Sequence, residues 1–376
     1  MNRLMISDSE HDADMLYISG VFVPDAWIVV QVNGAWYGLC SPLEVDRIRK
    51  TSRLDHVLLD SAWRQQAKAR FGEMPGLAPV AAAFLLDQGV DAVEVPTQCG
   101  YGVVCQLQAC GVTVSPCAEA FFPQRAIKRD DELRELAHAE RLTAKSMAQA
   151  VKFLAECSIG DDGCLRHPDH GRSKLRAADL RAVIEQWLIG HGAVPSHTIV
   201  ACGREGADPH NEGSGLLRAH QPIIIDIFPR LTRSGYWGDM TRTLVKGDAS
   251  AQVKAMHRAV AAAQLAGIAQ LRDGVEASVV HAVVAETLKS HGFTTGVHRG
   301  RQQGFFHGTG HGVGLEVHES PRVSTRGDRL QAGHVVTVEP GLYYPGVGGV
   351  RIEDLLVVTE HGCDNLTRFH RRLEIV

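Results

Sequence analysis

At 376 residues, with 44% hydrophobic and 22% charged residues and a net charge of −4, the chain has an ordinary globular composition and the length of two domains. Its 39 basic and 43 acidic residues form no basic stripe, which excludes an electrostatic nucleic-acid footprint. No run approaches the ~18 consecutive apolar residues that would suggest a membrane span. Nine irregularly spaced cysteines without a CxxC pair read as mostly buried thiols in a reducing compartment. The opening Met1-Asn2-Arg3-Leu4-Met5-Ile6 turns acidic at Asp8 and is not read as a signal peptide, so a cytoplasmic location is expected.

From residue 15 to about 123, short apolar runs alternate with turn residues. Trp27 to Val32 ends at Asn33-Gly34, a strong hairpin signal, and Ala35 to Cys40 returns from it. Residues 79–88 predict a helix, and Val93-Glu94-Val95 a strand stopped by Pro96. The alternation predicts a small α/β domain over 1–125. After Phe122-Pro123-Gln124-Arg125 the pattern changes. Asp130 or Asp131 is expected to cap a helix to about Cys157, with Leu133, Leu136, Ala137, Met147, Val151 and Leu154 as its apolar stripe. Ser158 to Lys174 reads as a loop. Helices follow at 176–191, 250–272 and 276–291, and strands at 198–202, 222–228, 239–246, 334–339 and 349–358. Helices and antiparallel strands mix without a βαβ rhythm, so 126–376 is expected to be α+β.

Four segments place charged or imidazole groups where apolar residues belong. Asp226 sits inside Pro222-Ile223-Ile224-Ile225-Asp226-Ile227-Phe228, and a buried carboxylate is costly unless paired or metal-bound. Asp239 opens a second strand in Gly238-Asp239-Met240-Thr241-Arg242. Taken singly, each aspartate reads as a strand-end turn residue. Facing one way across a hairpin, the two would serve one pair of cations. His307, His311 and His318 fall in a glycine-rich run, Phe306 to Glu319, where glycines permit close backbone approach. Glu339 closes the apolar strand Val335 to Val338, and Arg351 and Glu353 are expected on one strand face. A surface Arg–Glu pair would account for the last two but not for Glu339. Two Asp, two Glu and one His suit a pair of Mn²⁺, Fe²⁺, Co²⁺ or Zn²⁺ ions and metal-assisted hydrolysis.

These segments, in this order, resemble the M24 metallopeptidase family with its pita-bread fold, over about residues 125–376. The stretch before them resembles that family's creatinase-like N-terminal domain, and Arg125-Ala126-Ile127-Lys128 with Glu132-Leu133 resembles its entry to the catalytic domain. The resemblance implies two divalent ions, Mn²⁺ foremost with Co²⁺, Zn²⁺ or Fe²⁺ as alternatives. It implies Asp226 as a bidentate ligand, Asp239 and Glu353 as bridges, and His311 and Glu339 completing the second site. Glu339 would also be the general base and His318 a stabiliser of the tetrahedral intermediate. His307 and His210 match substrate-binding or proton-shuttling histidines, and Arg351 an orienting group. A homodimer acting on peptides with proline in second position is implied, with no nucleic-acid or membrane partner.

The sequence departs from the family at one place. The two aspartates are usually eleven positions apart with Gly two after the first; here they are thirteen apart and Phe228 replaces that Gly. One extra residue per strand would lengthen the hairpin yet keep both carboxylates on one face. Methionine aminopeptidases share the ligands, but their bacterial forms lack the N-terminal domain, and His307 fits the proline-directed branch. An aminopeptidase P-like enzyme is the favoured expectation. A prolidase-like Xaa-Pro dipeptidase and a non-peptidase hydrolase or lyase on the same fold are the alternatives.

Overall fold

In the computed structural model, which describes residues 2–171 and 173–375, Asn33 and Gly34 are both left-handed (φ 52° and 90°). Two such residues give the turn whose twist matches paired strands, and Trp27–Val32 pairs with Ala35–Cys40 from Val32↔Ala35 outward. This hairpin belongs to a mixed six-stranded sheet ordered His56–Leu59, Ala35–Cys40, Trp27–Val32, Arg3–Ser7, Ala92–Val95, Thr113–Pro116. Helix Ala78–Asp87 packs Ala81, Ala82, Phe84 and Leu85 against Leu4, Ile28, Val30 and Val93. Strand Arg3–Ser7 and the helices Ala13–Ser19, Val45–Thr51, Ser61–Phe71 and Tyr101–Ala109 were not foreseen. Ser61–Phe71 buries a single side chain, Ala67, so it carries almost no apolar periodicity to read. The sheet and its helices fall in the first of two units into which the chain divides, Met1–Arg125 and Ala126–Val376.

The second unit opens with helix Asp130–Glu156. Neither aspartate caps it. The cap position falls to Arg129, whose backbone N–H donates to Glu132 at 2.9 Å, while Asp130 and Asp131 lie in the first turn, where negative charge favours the helix dipole. Its buried stripe, with Leu142, Met147 and Leu154, packs beside helix Ala177–Gly190 onto Ile223, Ile225 and Ile227. Those isoleucines belong to a four-stranded sheet ordered Ile199–Cys202, Ile223–Ile227, Met240–Lys246, Glu374–Ile375. A five-stranded sheet follows the order Glu319–Val323, Gly310–Gly312, Val335–Val338, Asp354–Val358, Cys363–Asn365. Helices Ala251–Ile268 and Ala277–Ser290 lie on its apolar side, with Val280 beside Val336, Val338 and Leu356. Each sheet thus has one face under helices, and period-two alternation leaves the other face to Asp226 and Glu339.

The strand expected over 349–358 is two strands. Gly348–Arg351 pairs with Gly341–Tyr344, and Asp354–Val358 pairs with Val335–Val338. The break comes where the backbone changes partners, as the Ile352 N–H donates to Pro340 O (3.4 Å) and the Glu353 N–H to Thr241 O (3.1 Å). The loop 158–174 contains a small ribbon, Ser158–Ile159 with Leu165–Arg166. Its turn is made by left-handed Gly163 (φ 72°) and by Asp162, which accepts the Cys164 N–H at 3.1 Å. The nine cysteines are free thiols, and the exposed one is Cys105. No helix among the described residues is long and apolar enough to cross a membrane.

Candidate metal centre

The spacing anomaly resolves in the hairpin between the two aspartates. Ile223–Ile227 and Met240–Lys246 pair antiparallel with Asp226 opposite Thr241. The same register runs on through Pro229 O···H–N Gly238 (3.0 Å), the Arg230↔Trp237 bridge and Leu231 N–H···O Tyr236 (2.9 Å). No bulge intervenes, so Asp239 stays on the face that carries Asp226, Ile224 and Phe228. The chain reverses at residues 232–235, where Gly235 is left-handed (φ 80°). Of the hairpin end from Pro229 to Ser234, only Thr232 and Arg233 are exposed. Leu231 is buried because Arg230–Leu231 also pairs with Ala193–Val194.

Strand Gly310–Gly312 delivers His311. Gly310 must be bare: a Cβ there would lie 1.9 Å from the Thr337 carbonyl oxygen. That approach lets the His311 N–H donate to Thr337 Oγ1 at 3.1 Å and the Glu339 N–H to Thr309 O at 2.8 Å, which fastens the histidine strand to the glutamate strand. Because the obstacle is backbone and cannot rotate away, Gly310→Ala is expected to cost at least ~1–3 kcal/mol. Denaturant unfolding of the metal-free variant measures this; an unchanged midpoint would refute the packing argument.

Among the described residues, Asp239, His311 and Glu353 offer ligand atoms that all lie within 4.8 Å of one another. His311 Nε2 is 3.4 Å from Glu339 Oε1 and 3.7 Å from Asp239 Oδ2. Its Nδ1 lies 3.2 Å from the Gly312 carbonyl, an acceptor only, so Nδ1 carries the hydrogen and Nε2 presents a lone pair to the carboxylates. Burial, and then His318, push the His311 pKa down to about 3, keeping that lone pair free of a proton. Asp226 joins through Arg351, whose Nη2 donates to Oδ2 at 2.6 Å, while the buried Oδ1 has no hydrogen-bond partner among the described residues. Burial, and then repulsion from neighbouring carboxylates, hold Asp239 and Glu353 well above the usual carboxylate range. Glu339 is pushed up to about 8 by burial, partly offset by Arg351.

Four carboxylates, an orphaned carboxylate oxygen and an imidazole lone pair facing oxygen require positive charge among them. The donor set fits divalent cations that accept mixed oxygen and nitrogen ligands. The bond from Arg351 to Asp226 Oδ2 leaves that oxygen a second lone pair, so it does not bar chelation.

Arg351 and Glu353 converge although they do not share a strand. Thr241 bridges them, accepting from Arg351 Nε (3.1 Å) and donating to Glu353 Oε2 (2.7 Å). Arg351 Nη1 also reaches Tyr343 Oη (2.9 Å) and the Pro209 carbonyl (3.2 Å), which ties down the loop carrying exposed His210. The shuttling role considered for His307 meets an obstacle. Its Nδ1 is bonded to Gly308 O (2.7 Å) and its Nε2 to Tyr343 Oη (3.1 Å), so both nitrogens are occupied. What it offers is surface, with its ring beside Phe305, Phe306 and Tyr343. His318 is exposed and meets His311 edge-on, ring centroids 4.3 Å apart.

Thr241, Tyr343 and Arg322 escaped the sequence reading. Thr241 was legible in principle, lying two residues after Asp239 on the same face. Arg322 is exposed on the strand beside His311 and directly opposite it, which a local pattern cannot reveal.

Residues 117–360 match the model of metallopeptidase family M24. The chain belongs to that family. Among relatives of this M24 chain, an uncharacterized peptidase of Bacillus subtilis is 34% identical over 67% of this chain and 70% of that protein. A Xaa-Pro dipeptidase of Pyrococcus furiosus is 32% identical over 58% of this chain, and the match spans 61% of that relative's length. Among solved structures, an X-Pro aminopeptidase from Thermotoga maritima superposes with a TM-score of 0.82 at 22% identity, covering 100% of this chain and 97% of that one. The fold is therefore that of the pita-bread peptidases, the architecture the sequence motifs implied for the second unit.

Proposed function

We propose that this chain hydrolyses the peptide bond before a proline, in the manner of an aminopeptidase P, with two divalent cations and Mn²⁺ foremost. Met1–Arg125 is then the creatinase-like domain and Ala126–Val376 the catalytic one. The observation that carries the reading is the His311 lone pair presented to a cluster of buried carboxylates. The X-Pro names of the relatives and structural neighbours support the substrate class.

Asp226, Asp239, His311, Glu339 and Glu353 would hold the ions, Asp239 and Glu353 being shared. When bound, the ions supply Lewis-acid activation of water and of the scissile carbonyl. Glu339, freed of its own proton once the ions are bound, accepts the proton of the attacking water and returns it to the leaving proline nitrogen. His318, exposed beside His311, donates a hydrogen bond to the developing oxyanion. His307 and Phe306, half-buried and set edge to face, give an aromatic surface suited to a pyrrolidine ring, backed by buried Phe305 and Tyr343. His210, on its exposed loop, contacts the substrate, and Arg351 keeps Asp226 and Thr241 in place.

The dipeptidase reading has one observation in its favour. Arg322 sets a guanidinium cross-strand from His311; partial burial of the ring, and then this guanidinium, depress the His318 pKa. A fork of that kind suits the free carboxylate of a Xaa-Pro dipeptide. Mn²⁺-loaded protein assayed on Ala-Pro and Ala-Pro-Ala separates the readings. Release of Ala from the tripeptide supports the aminopeptidase, and cleavage of Ala-Pro alone the dipeptidase. Neither, with metal bound, leaves a non-peptidase hydrolase or lyase. If dipeptides bind through Arg322, Arg322→Ala raises KM for Ala-Pro ~10-fold or more, the loss of a charge-assisted pair, and leaves Ala-Pro-Ala nearly unaffected.

A further inference from the structure

We infer that Glu140 is a positioning residue that fixes Asp239 and Glu353 relative to one another and so sets the affinity of the centre for its ions. The inference rests on the metal-centre reading above. Glu140 lies on the buried stripe of helix Asp130–Glu156, four residues after Leu136 and seven before Met147, where an apolar side chain is expected. It is fully buried, and among the described residues it makes no ion pair. Its Oε2 accepts the backbone N–H of Asp239 at 2.9 Å, and its Oε1 accepts the Thr367 hydroxyl at 2.6 Å.

Each contact leads to one of the two carboxylates assigned to both ions. On the first side, Gly238 brings the strand against the helix. A Cβ there would lie 2.4 Å from Thr143 Oγ1 and 2.8 Å from the Ala139 carbonyl carbon. The bare backbone at 238 is what lets the next amide reach Glu140. On the second side, Thr367 Oγ1 also accepts the Leu355 N–H at 2.8 Å, two residues beyond Glu353. The stretch between is held by Arg242, which donates to Glu353 O (2.6 Å) and to Asp354 Oδ1 (2.8 Å). One carboxylate therefore spans the gap between the backbone of Asp239 and the backbone just past Glu353.

Packing does not explain an acid at this position. Burying a carboxylate against neutral donors is unfavourable, and a leucine would fill a helix stripe at lower cost. The hydrogen bonds give the reason: Asp239 and Glu353 repel each other, and their backbones must be held in place for ions to find both. Partners that orient metal ligands in this way typically change metal affinity 10–100-fold when removed.

The test is calorimetric titration of Mn²⁺ into chelator-stripped wild type, Glu140→Gln and Glu140→Leu, with thermal unfolding of each metal-free protein. Gln keeps an oxygen for the Asp239 N–H and an amide that can donate to Thr367 Oγ1, so its affinity should stay within about threefold of wild type. Leu keeps the volume and loses both bonds, so the folded variant should bind Mn²⁺ 10–100-fold more weakly. Wild-type affinity in Glu140→Leu overturns the inference, as does an equal loss in Glu140→Gln. If Glu140→Leu does not fold, Thr367→Val decides, since it cuts the arm to Leu355 and spares the one to Asp239. A loss of at least about threefold is expected there, and unchanged affinity overturns the inference. Wild type that binds no Mn²⁺ sinks the metal-centre reading itself, an outcome distinct from all of these.

Discussion

His311→Ala is expected to lose bound metal, whereas His318→Ala keeps it and turns over ~10²–10³-fold more slowly, the usual consequence of removing one donor to a developing oxyanion. The two histidines sit edge to edge, ring centroids 4.3 Å apart, yet their surroundings differ. His311 is buried, its tautomer is fixed by the Gly312 carbonyl, and its Nε2 looks into the carboxylates. Its loss removes a ligand, and without the cation nothing neutralises the facing carboxylates of Glu339 and Asp239. His318 is exposed and, among the described residues, joins no group of three ligand atoms. Metal content by mass spectrometry and kcat on Ala-Pro-Ala should therefore part company for His318→Ala. If His318→Ala strips the metal while His311→Ala retains it, the two roles are reversed.

The apparent affinity for Mn²⁺ should climb steeply between pH 6 and pH 8, and protons should leave as metal enters. Glu339 is raised to about 8, and Asp239 and Glu353 lie well above their ordinary values, in each case chiefly because they are buried. At neutral pH the metal-free centre therefore retains protons that the ions must displace. Each displaced proton makes the apparent affinity rise ~tenfold per pH unit while pH stays below the group's pKa. Without metal the sign for stability is opposite. A carboxyl with a raised pKa in the folded protein favours folding below its unfolded value near 4.5, and that contribution is lost as pH rises through about 8. The chelated protein should thus lose stability as pH rises over this range, while the Mn²⁺-loaded protein should not. Calorimetry in buffers of differing ionisation enthalpy counts the protons, and Glu339→Gln should release about one fewer. Binding that is independent of pH and of buffer would mean that the carboxylates are ionised before metal arrives.

The sequence made the centre legible wherever chemistry broke a local pattern. Asp226 interrupts a run of isoleucines, Glu339 ends a run of valines, and His311 sits among glycines that a helix would not tolerate. The period of two then determined which way each side chain faced. What stayed hidden depends on contacts between segments far apart in the chain. Glu140 breaks a helical stripe as plainly as Asp226 breaks a strand, but its partners are 99 and 227 residues away. Tyr343 reads as a core aromatic until its hydroxyl is seen between Arg351 and His307. The break between Arg351 and Glu353 was missed because both flanks are apolar, and only a change of backbone partner separates them. In the first unit, short helices such as Ser61–Phe71 bury too little to leave a period at all.

The hairpin between the aspartates also bears on how the chain tolerates change. Its pairing holds one register from Ile223↔Leu244 out to the Arg230↔Trp237 bridge, and the reversal is confined to residues 232–235. Lengthening both arms by one residue moves the tip outward and leaves the base untouched; lengthening one arm alone turns an aspartate away from its partner. Length variation in the arms is thus filtered by parity, so gene-level insertions of six nucleotides split between the arms survive where insertions of three do not. Residues spliced within 232–235 escape the filter. This turn is the natural place to graft a tag or a reporter onto the enzyme without disturbing the carboxylates at the hairpin's base.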